Sequence, residues 1–209
     1  SISSIQKKRD DANNQDGKRL DSVEAELYAD GQATGNKVTL DEKNSWKASF
    51  AKVDVKKDGK RINYTVKTTE NKDYTITTTG NVLDDNGVVV TYKHVPETVN
   101  VSIKSAWNDA NNQDGIRPAT ISVQLMKDDK EEGDNINLKI ASSKTWSNLP
   151  KYANGKEIKY AVAISDVSGY TKKVTGSVAD GYVAAFTHSV YKTSVVVQNT
   201  WSDLDNALL

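Results

Sequence analysis

The stretch Asp11-Ala-Asn-Asn-Gln-Asp-Gly17 returns letter for letter as Asp109 to Gly115, at an offset of 98 residues. Leu27 falls on Leu125 at the same offset. Asp58-Gly-Lys-Arg-Ile-Asn-Tyr64 matches Asn154-Gly-Lys-Glu-Ile-Lys-Tyr160 at offset 96, Tyr74 matches Tyr170, and Gly87 matches Gly181 at offset 94. Such a drifting repeat marks loop insertions and deletions between copies of one structural unit. Near the C-terminus Trp201-Ser-Asp-Leu-Asp-Asn206 echoes Trp107-Asn-Asp-Ala-Asn-Asn112. The sequence therefore predicts one module over 1–95, a second over 96–192, and in 193–209 the first strand of a truncated third. Short linkers fall near Pro96 and Lys192, which favours a semi-rigid array over beads on a flexible string.

Each module reads as strands. Ser22 to Tyr28 alternates Val23, Ala25 and Leu27 with polar neighbours, and Ile121 to Leu125 does the same. The stretches Ile62–Val66, Tyr74–Thr79 and Gly87–Thr91 are rich in β-branched and aromatic residues. Turn pairs separate them: Asp16-Gly17, Asp30-Gly31, Asp58-Gly59, Asn86-Gly87, Asn154-Gly155 and Asp180-Gly181. No stretch sustains apolar residues at helical spacing. The expected fold class is all-β, with one sandwich per module.

Composition narrows the function classes. Twenty-eight basic residues balance 28 acidic ones, which argues against nucleic acid or an anionic membrane as partner. No apolar run reaches the length of a membrane span and no signal segment stands at the start. There is no Cys, which fits a reducing compartment or an exported protein that avoids disulfides, and which removes thiol catalysis and Cys-based metal sites. Asp11, Asn13, Gln15 and Asp16 supply oxygens at near-alternate positions, but lack the Gly and the bidentate acid of an EF-hand, so a hydrogen-bonded Asx-rich turn is expected. His94 and His188 lie at matching places near the module ends and read as surface or junction residues. No phosphate loop, Ser-His-Asp order or carboxylate cleft appears; no cofactor and no metal is expected.

The phrase Asp10-Asp-Ala-Asn-Asn-Gln-Asp-Gly-Lys-Arg19, then Leu27-Tyr-Ala-Asp-Gly31, Trp46-Lys47 and Asp58 to Val66, resembles a collagen-adhesin B-type (Cna B) module. Trp107 to Pro118 and Asn148 to Tyr152 carry the same resemblance in the second copy. It implies tandem prealbumin-like, inverse-immunoglobulin sandwiches, and stalk repeats of a Gram-positive, cell-wall-anchored adhesin or surface fibre that hold a binding head away from the cell. A host-matrix-binding adhesin module is the alternative. Implied partners are neighbouring modules, neighbouring chains in a fibre, and host extracellular matrix through a head outside this chain. An enzyme acting on an external substrate is not expected.

The resemblance also implies an autocatalytic isopeptide bond. A first-strand Lys attacks an Asn or Asp side chain on the last strand, while a Glu on a middle strand shuttles protons. This sequence departs from that pattern. The three positions hold Lys7, Thr68 and Tyr92 in module one and Ser105, Ile164 and Phe186 in module two, so only Lys7 keeps its type. Three accounts stand at this level: loss of the cross-link with Tyr92 and Phe186 as core fillers, letters that approximate a cross-linked parent, or a different cross-link. With no carboxylate partner, Lys7 is expected to turn toward solvent.

Overall fold

The computed structural model describes residues 3–200. By its contacts the chain falls into two compact units. Unit 1 takes the chain up to Asn100 together with Trp146–Lys159; unit 2 takes Val101–Thr145 and the chain from Tyr160 on.

The first repeat is built from β1 (Ser4–Asp10), β2 (Ser22–Ala29), β3 (Gln32–Asp41), β4 (Lys47–Ser49), β5 (Lys56–Lys57), β6 (Lys60–Arg61), β7 (Tyr64–Thr68), β8 (Thr75–Gly80) and β9 (Val88–Lys93). One sheet runs β4-β1-β9-β8 and another β3-β2-β7, with β5-β6 as a separate hairpin. The second repeat follows the same plan with β10 (Thr98–Asn108), β11 (Thr120–Lys127), β12 (Lys130–Glu131), β13 (Ile136–Lys139), β14 (Ser143–Pro150), β15 (Tyr152–Ala153), β16 (Lys156–Glu157), β17 (Tyr160–Ile164), β18 (Thr171–Ser177) and β19 (Gly181–Thr187). Its sheets are β14-β10-β19-β18 and β11 flanked by β12 and β13 on one path and by β17. Among the described residues the helical structure is a single 3-10 turn, Ala12–Asn14. The expected all-β sandwich is present in each repeat.

In each repeat the first and last strands pair side by side and parallel. Ile5 through Asp10 pair with Val88 through Lys93, and Ile103 through Asn108 with Tyr182 through Thr187. Period-2 alternation then sorts the side chains. Val23, Ala25 and Leu27 of β2 are fully buried, and they meet Ile5, Val88, Val90 and Tyr92 in the core of the first repeat. In the second repeat Ile121, Val123 and Leu125 of β11 are buried, as are Ile103, Ala184 and Phe186 of β10 and β19.

Residues 193–200 lie in no strand, and Val195, Val196 and Val197 are exposed. The remainder of the expected third copy, including Trp201, lies outside the described residues.

One glycine per repeat permits the last strand to enter the sheet. Gly87 has φ +65°, and a Cβ there would collide with the carbonyl oxygen of Ser4 on β1; Gly181 has φ +82°, and a Cβ there would meet the side-chain hydroxyl of Ser102. Gly59 also has positive φ but open space around it. Gly59→Ala should therefore cost about 1 kcal/mol from backbone strain alone. Gly87→Ala adds a steric clash and should cost about 3 kcal/mol. Urea unfolding of the two variants checks this: equal losses would mean that the Ser4 contact is immaterial.

Candidate functional site

Alternation on β1 turns Ile5 and Lys7 inward, and on β9 it turns Val90 and Tyr92 inward. The register sets Lys7 beside Val90 and Arg9 beside Tyr92. Lys7 is 5% exposed, and its Nζ lies 3.9 Å from the centre of the Trp46 ring and 4.6 Å from that of Tyr92. The Tyr92 hydroxyl donates to the Thr69 carbonyl at 2.5 Å and is hydrogen-bonded to the Thr68 side chain. The three positions of the first repeat thus converge. The expectation that Lys7 turns to solvent is overturned. Two aromatic faces accept the ammonium in place of a carboxylate, a cation–π arrangement that gains strength where water is excluded.

That cage does not fully offset the burial. Desolvation, followed by repulsion from Arg9 and Arg19, lowers the Lys7 pKa from 10.5 to about 8, with Asp11 working the other way. A substantial fraction of the amine is neutral near physiological pH and is a competent nucleophile. It has nothing to attack: the Tyr92 side chain offers no acyl carbon, and Thr68 has no carboxyl group to move a proton.

In the second repeat the same seam is filled differently. Ser105 pairs with Ala184 and its hydroxyl accepts from Trp107 Nε1 at 3.0 Å. Phe186 is fully buried and stacks on Trp107 at 4.5 Å, with Tyr170 edge-on to both rings. Ile164 is buried at the end of β17, in the facing sheet, paired with Val123. Ser105 and Phe186 are brought to one Trp ring, and none of the three residues can form an amide.

Beside each seam lies a charged clamp that sequence reasoning missed. Asp11 caps the turn that follows β1, receives Arg19 through Nε (2.9 Å) and a terminal nitrogen (2.6 Å), and accepts from the Tyr74 hydroxyl at 2.7 Å. Asp109, Arg117 and Tyr170 repeat this arrangement. The Arg19 hydrogen bond holds the Asp11 pKa at about 2, against the cost of burial, and Arg117 likewise holds Asp109 low. The expected Asx-rich turn is what forms. Ala12, Asn13 and Asn14 all take positive φ, as do Ala110, Asn111 and Asn112.

His94 and His188 are not surface residues. Their side chains are 9% and 5% exposed. His94 bridges Asp16 (Nε2 to Oδ2, 2.8 Å) and the Asp73 carbonyl (2.6 Å); His188 bridges Asp114 (2.8 Å) and the Gly169 carbonyl (2.7 Å). The same Asp oxygens accept the backbone N–H of Glu97 and of Tyr191. Each His also packs beside the clamp Tyr, 5.4 Å for His94 on Tyr74 and 5.3 Å for His188 on Tyr170. Burial lowers the His94 pKa, but the Asp16 and Asp73 hydrogen bonds outweigh it and the net shift is upward; for His188 the Asp114 hydrogen bond leads and the shift is also upward. The readable signal was that Asp11, Asp16, Arg19, Tyr74 and His94 each recur as the same residue type one module later.

These shifts give two pH windows of opposite sign. A raised His pKa contributes stability that is fully present below the ordinary value of 6.5 and is lost as pH rises through the raised folded-state value. A lowered Lys pKa costs stability below about 8, a cost relieved as pH climbs from about 8 to 10.5. Unfolding free energy should therefore fall as the histidines lose their protons and recover as pH climbs from about 8 to 10.5. Lys7→Met should remove the alkaline recovery and raise stability at neutral pH by about 1–2 kcal/mol. His94→Gln with His188→Gln should flatten the fall. Intact-mass measurement should show no loss of ammonia or water from the chain mass.

A model of the Cna protein B-type domain matches residues 3–93 and 101–187. A curated relative, collagen adhesin of Staphylococcus aureus, is 37% identical over 209 residues; the match covers 97% of this chain and 17% of that protein. The crystal structure of two B repeat units of the S. aureus collagen binding protein is similar at a TM-score of 0.66 and 33% identity, over 90% of this chain and 49% of that one. A single B repeat unit of the same protein matches at 32% identity and a TM-score of 0.42, over 91% of this chain and 99% of that one. With both repeats matched, and with the paired first and last strands found in each, the chain belongs to the Cna protein B-type domain family.

Proposed function

We propose that the chain is a stalk segment of a Gram-positive, cell-wall-anchored adhesin or surface fibre, that it works outside the cell, and that it bears load rather than catalysing a reaction on an external substrate. One observation carries this reading: in each repeat six residues of the first strand pair in parallel with six of the last. Chain enters such a pair at one end and leaves at the other. Tension between the two strands therefore shears the whole ladder at once instead of opening it bond by bond. The buried amine and the aromatic stacks stand at the positions where the family resemblance places a covalent tie. They support the same role by packing alone.

Binding to host matrix is assigned to a head outside this chain. The chain spans 17% of the collagen adhesin it matches, and the collagen named there is attached to that whole protein.

Two measurements test the reading. Immobilised collagen should retain none of the chain; retention by the chain alone would favour a matrix-binding module instead. In single-molecule pulling, the chain held through its ends should resist with a higher rupture force than the first repeat held through cysteines at Asp10→Cys and Lys93→Cys. Those residues are register partners, so that geometry unzips the ladder. Equal forces would remove the mechanical argument.

A further inference from the structure

His94 stands where three segments of unit 1 meet: the 11–17 loop, the turn before β8 and the chain that leaves β9. Both of its ring nitrogens face acceptors. Nδ1 lies 2.6 Å from the Asp73 carbonyl oxygen, and Nε2 lies 2.8 Å from Asp16 Oδ2, which already accepts the Glu97 N–H at 2.7 Å. A neutral imidazole carries one N–H and satisfies only one such partner, whereas the imidazolium carries two and satisfies both. The site is therefore shaped for the charged ring. The His94 side chain is 9% exposed and that of Asp16 is fully buried, so bulk water does not reach the bond that a lost proton would break.

Asp16 depends on that charge. Its Oδ1 is buried and meets no protein donor among the described residues, so a neutral ring that gave up the Nε2 proton would leave a buried carboxylate with the Glu97 N–H alone, a costly state that the loop relieves by moving. The hairpin β15-β16, also in unit 1, is tied to the neighbours of Asp16. Its tip residue Gly155 donates its N–H to the Gln15 carbonyl at 3.0 Å, and a Cβ at Gly17 would lie 2.6 Å from the Gly155 Cα. Lys151 donates its N–H to the Glu97 carbonyl (2.9 Å) and pairs its Nζ with the Glu97 carboxylate (2.8 Å). Gln15 adjoins Asp16 in sequence and Glu97 is hydrogen-bonded to it, so both tethers run through that carboxylate. The other titratable groups facing the ring are the Asp73 carboxylate and Tyr74, whose hydroxyl bonds to Asp11 within the Arg19 ion pair. Burial works against the charged ring, and the hydrogen bonds and charges of Asp16 and Asp73 outweigh it.

We propose that His94 is a pH-operated clasp that seats the β15-β16 hairpin on the 11–17 loop. With the ring doubly protonated, Asp16 is held, Gln15 and Glu97 are held with it, and the hairpin tip stays down. When the ring gives a proton to solvent, one of its two hydrogen bonds is lost, the loop shifts, and the Gly155–Gln15 bond opens. By linkage, seating the hairpin favours the charged ring by the same factor that the charged ring favours seating. The release is local: the β1–β9 ladder and the Lys7 cage make no bond to Asp16 and stay in place. The clasp stands or falls on unit 1 alone and does not depend on the stalk reading, so its failure leaves the collagen and pulling results untouched.

The test is a pH titration of the whole chain by NMR, from about pH 5 to about pH 9, that follows the histidine ring nitrogens and the backbone amides together. The Glu97 and Gly155 amides should move with the His94 ring, at one shared midpoint above 6.5. Across that step the hydrogen-exchange protection of the Gly155 N–H, corrected for the intrinsic rise of exchange with pH, should fall by about tenfold, the factor that a one-unit difference in ring pKa between seated and unseated states implies. In His94→Gln both amides should hold one position throughout, while His188 still titrates. In His188→Gln the Gly155 step should persist unchanged. The comparison of midpoints within the unaltered chain needs no variant to fold. A Gly155 amide that keeps its shift and protection while His94 titrates would overturn the proposal. So would a His94 midpoint at or below 6.5, or a Gly155 step that survives in His94→Gln and so belongs to another group.

Discussion

The parallel pairing of first and last strands governs the rest of each repeat. It joins residues some eighty positions apart, so its closure carries a large entropic cost that the intervening strands offset by bringing the two ends together. Once formed, it fixes what stands in the seam. Lys7 and Tyr92 share a face because Lys7 pairs with Val90, two residues before Tyr92; Ser105 and Phe186 share one because Ser105 pairs with Ala184. A one-residue slip would send Lys7 to solvent and bring Lys8 inward.

One seam, two fillings: the comparison shows what the position demands. It needs a large, flat side chain from the last strand, and both Tyr92 and Phe186 provide one at full burial. It also needs something to close against that ring. In the second repeat Trp107 does so from the first strand itself, and Ser105 satisfies its indole N–H. In the first repeat Arg9 occupies the place of Trp107, and Trp46 comes in from the turn just before β4 with its N–H on Glu42. The room beside it takes the Lys7 ammonium. Losing Trp from the first strand and keeping Lys on it are thus compensating features of one packing solution.

Much of this was legible. The alternation of Val23, Ala25 and Leu27, the Asx-Gly turns and the repeat offsets carry the fold class, because burial on one face leaves a period-2 trace. β3 left almost none: of Gln32–Asp41 only Val38 and Leu40 alternate as apolar residues, and most of the strand is exposed. The convergence of Lys7, Thr68 and Tyr92 was also readable, from the family pattern. The fate of the Lys7 ammonium was not, since the ring that stabilises it, Trp46, comes from thirty-nine residues away. The histidines misled for a similar reason. A His beside a linker looks solvent-facing until the aspartate it bonds, seventy-eight residues distant, is brought next to it.

That aspartate explains why the seven-letter phrase is the best-kept part of the repeat within this chain. Its first Asp takes Arg19 and the Tyr74 hydroxyl, closing the end of β1 against β8. Its last Asp takes His94 and the Glu97 N–H, holding the chain as it leaves β9. Tyr74 and His94 are in ring contact, so the two ends of the loop act on one aromatic column that continues into Tyr92. A residue lost from the loop would move one carboxylate relative to the other and leave a buried Arg or His without its partner. Length variation is therefore confined to the turns elsewhere, where the offset falls from 98 to 96 and then to 94. The spacing between the two aspartates cannot drift with them.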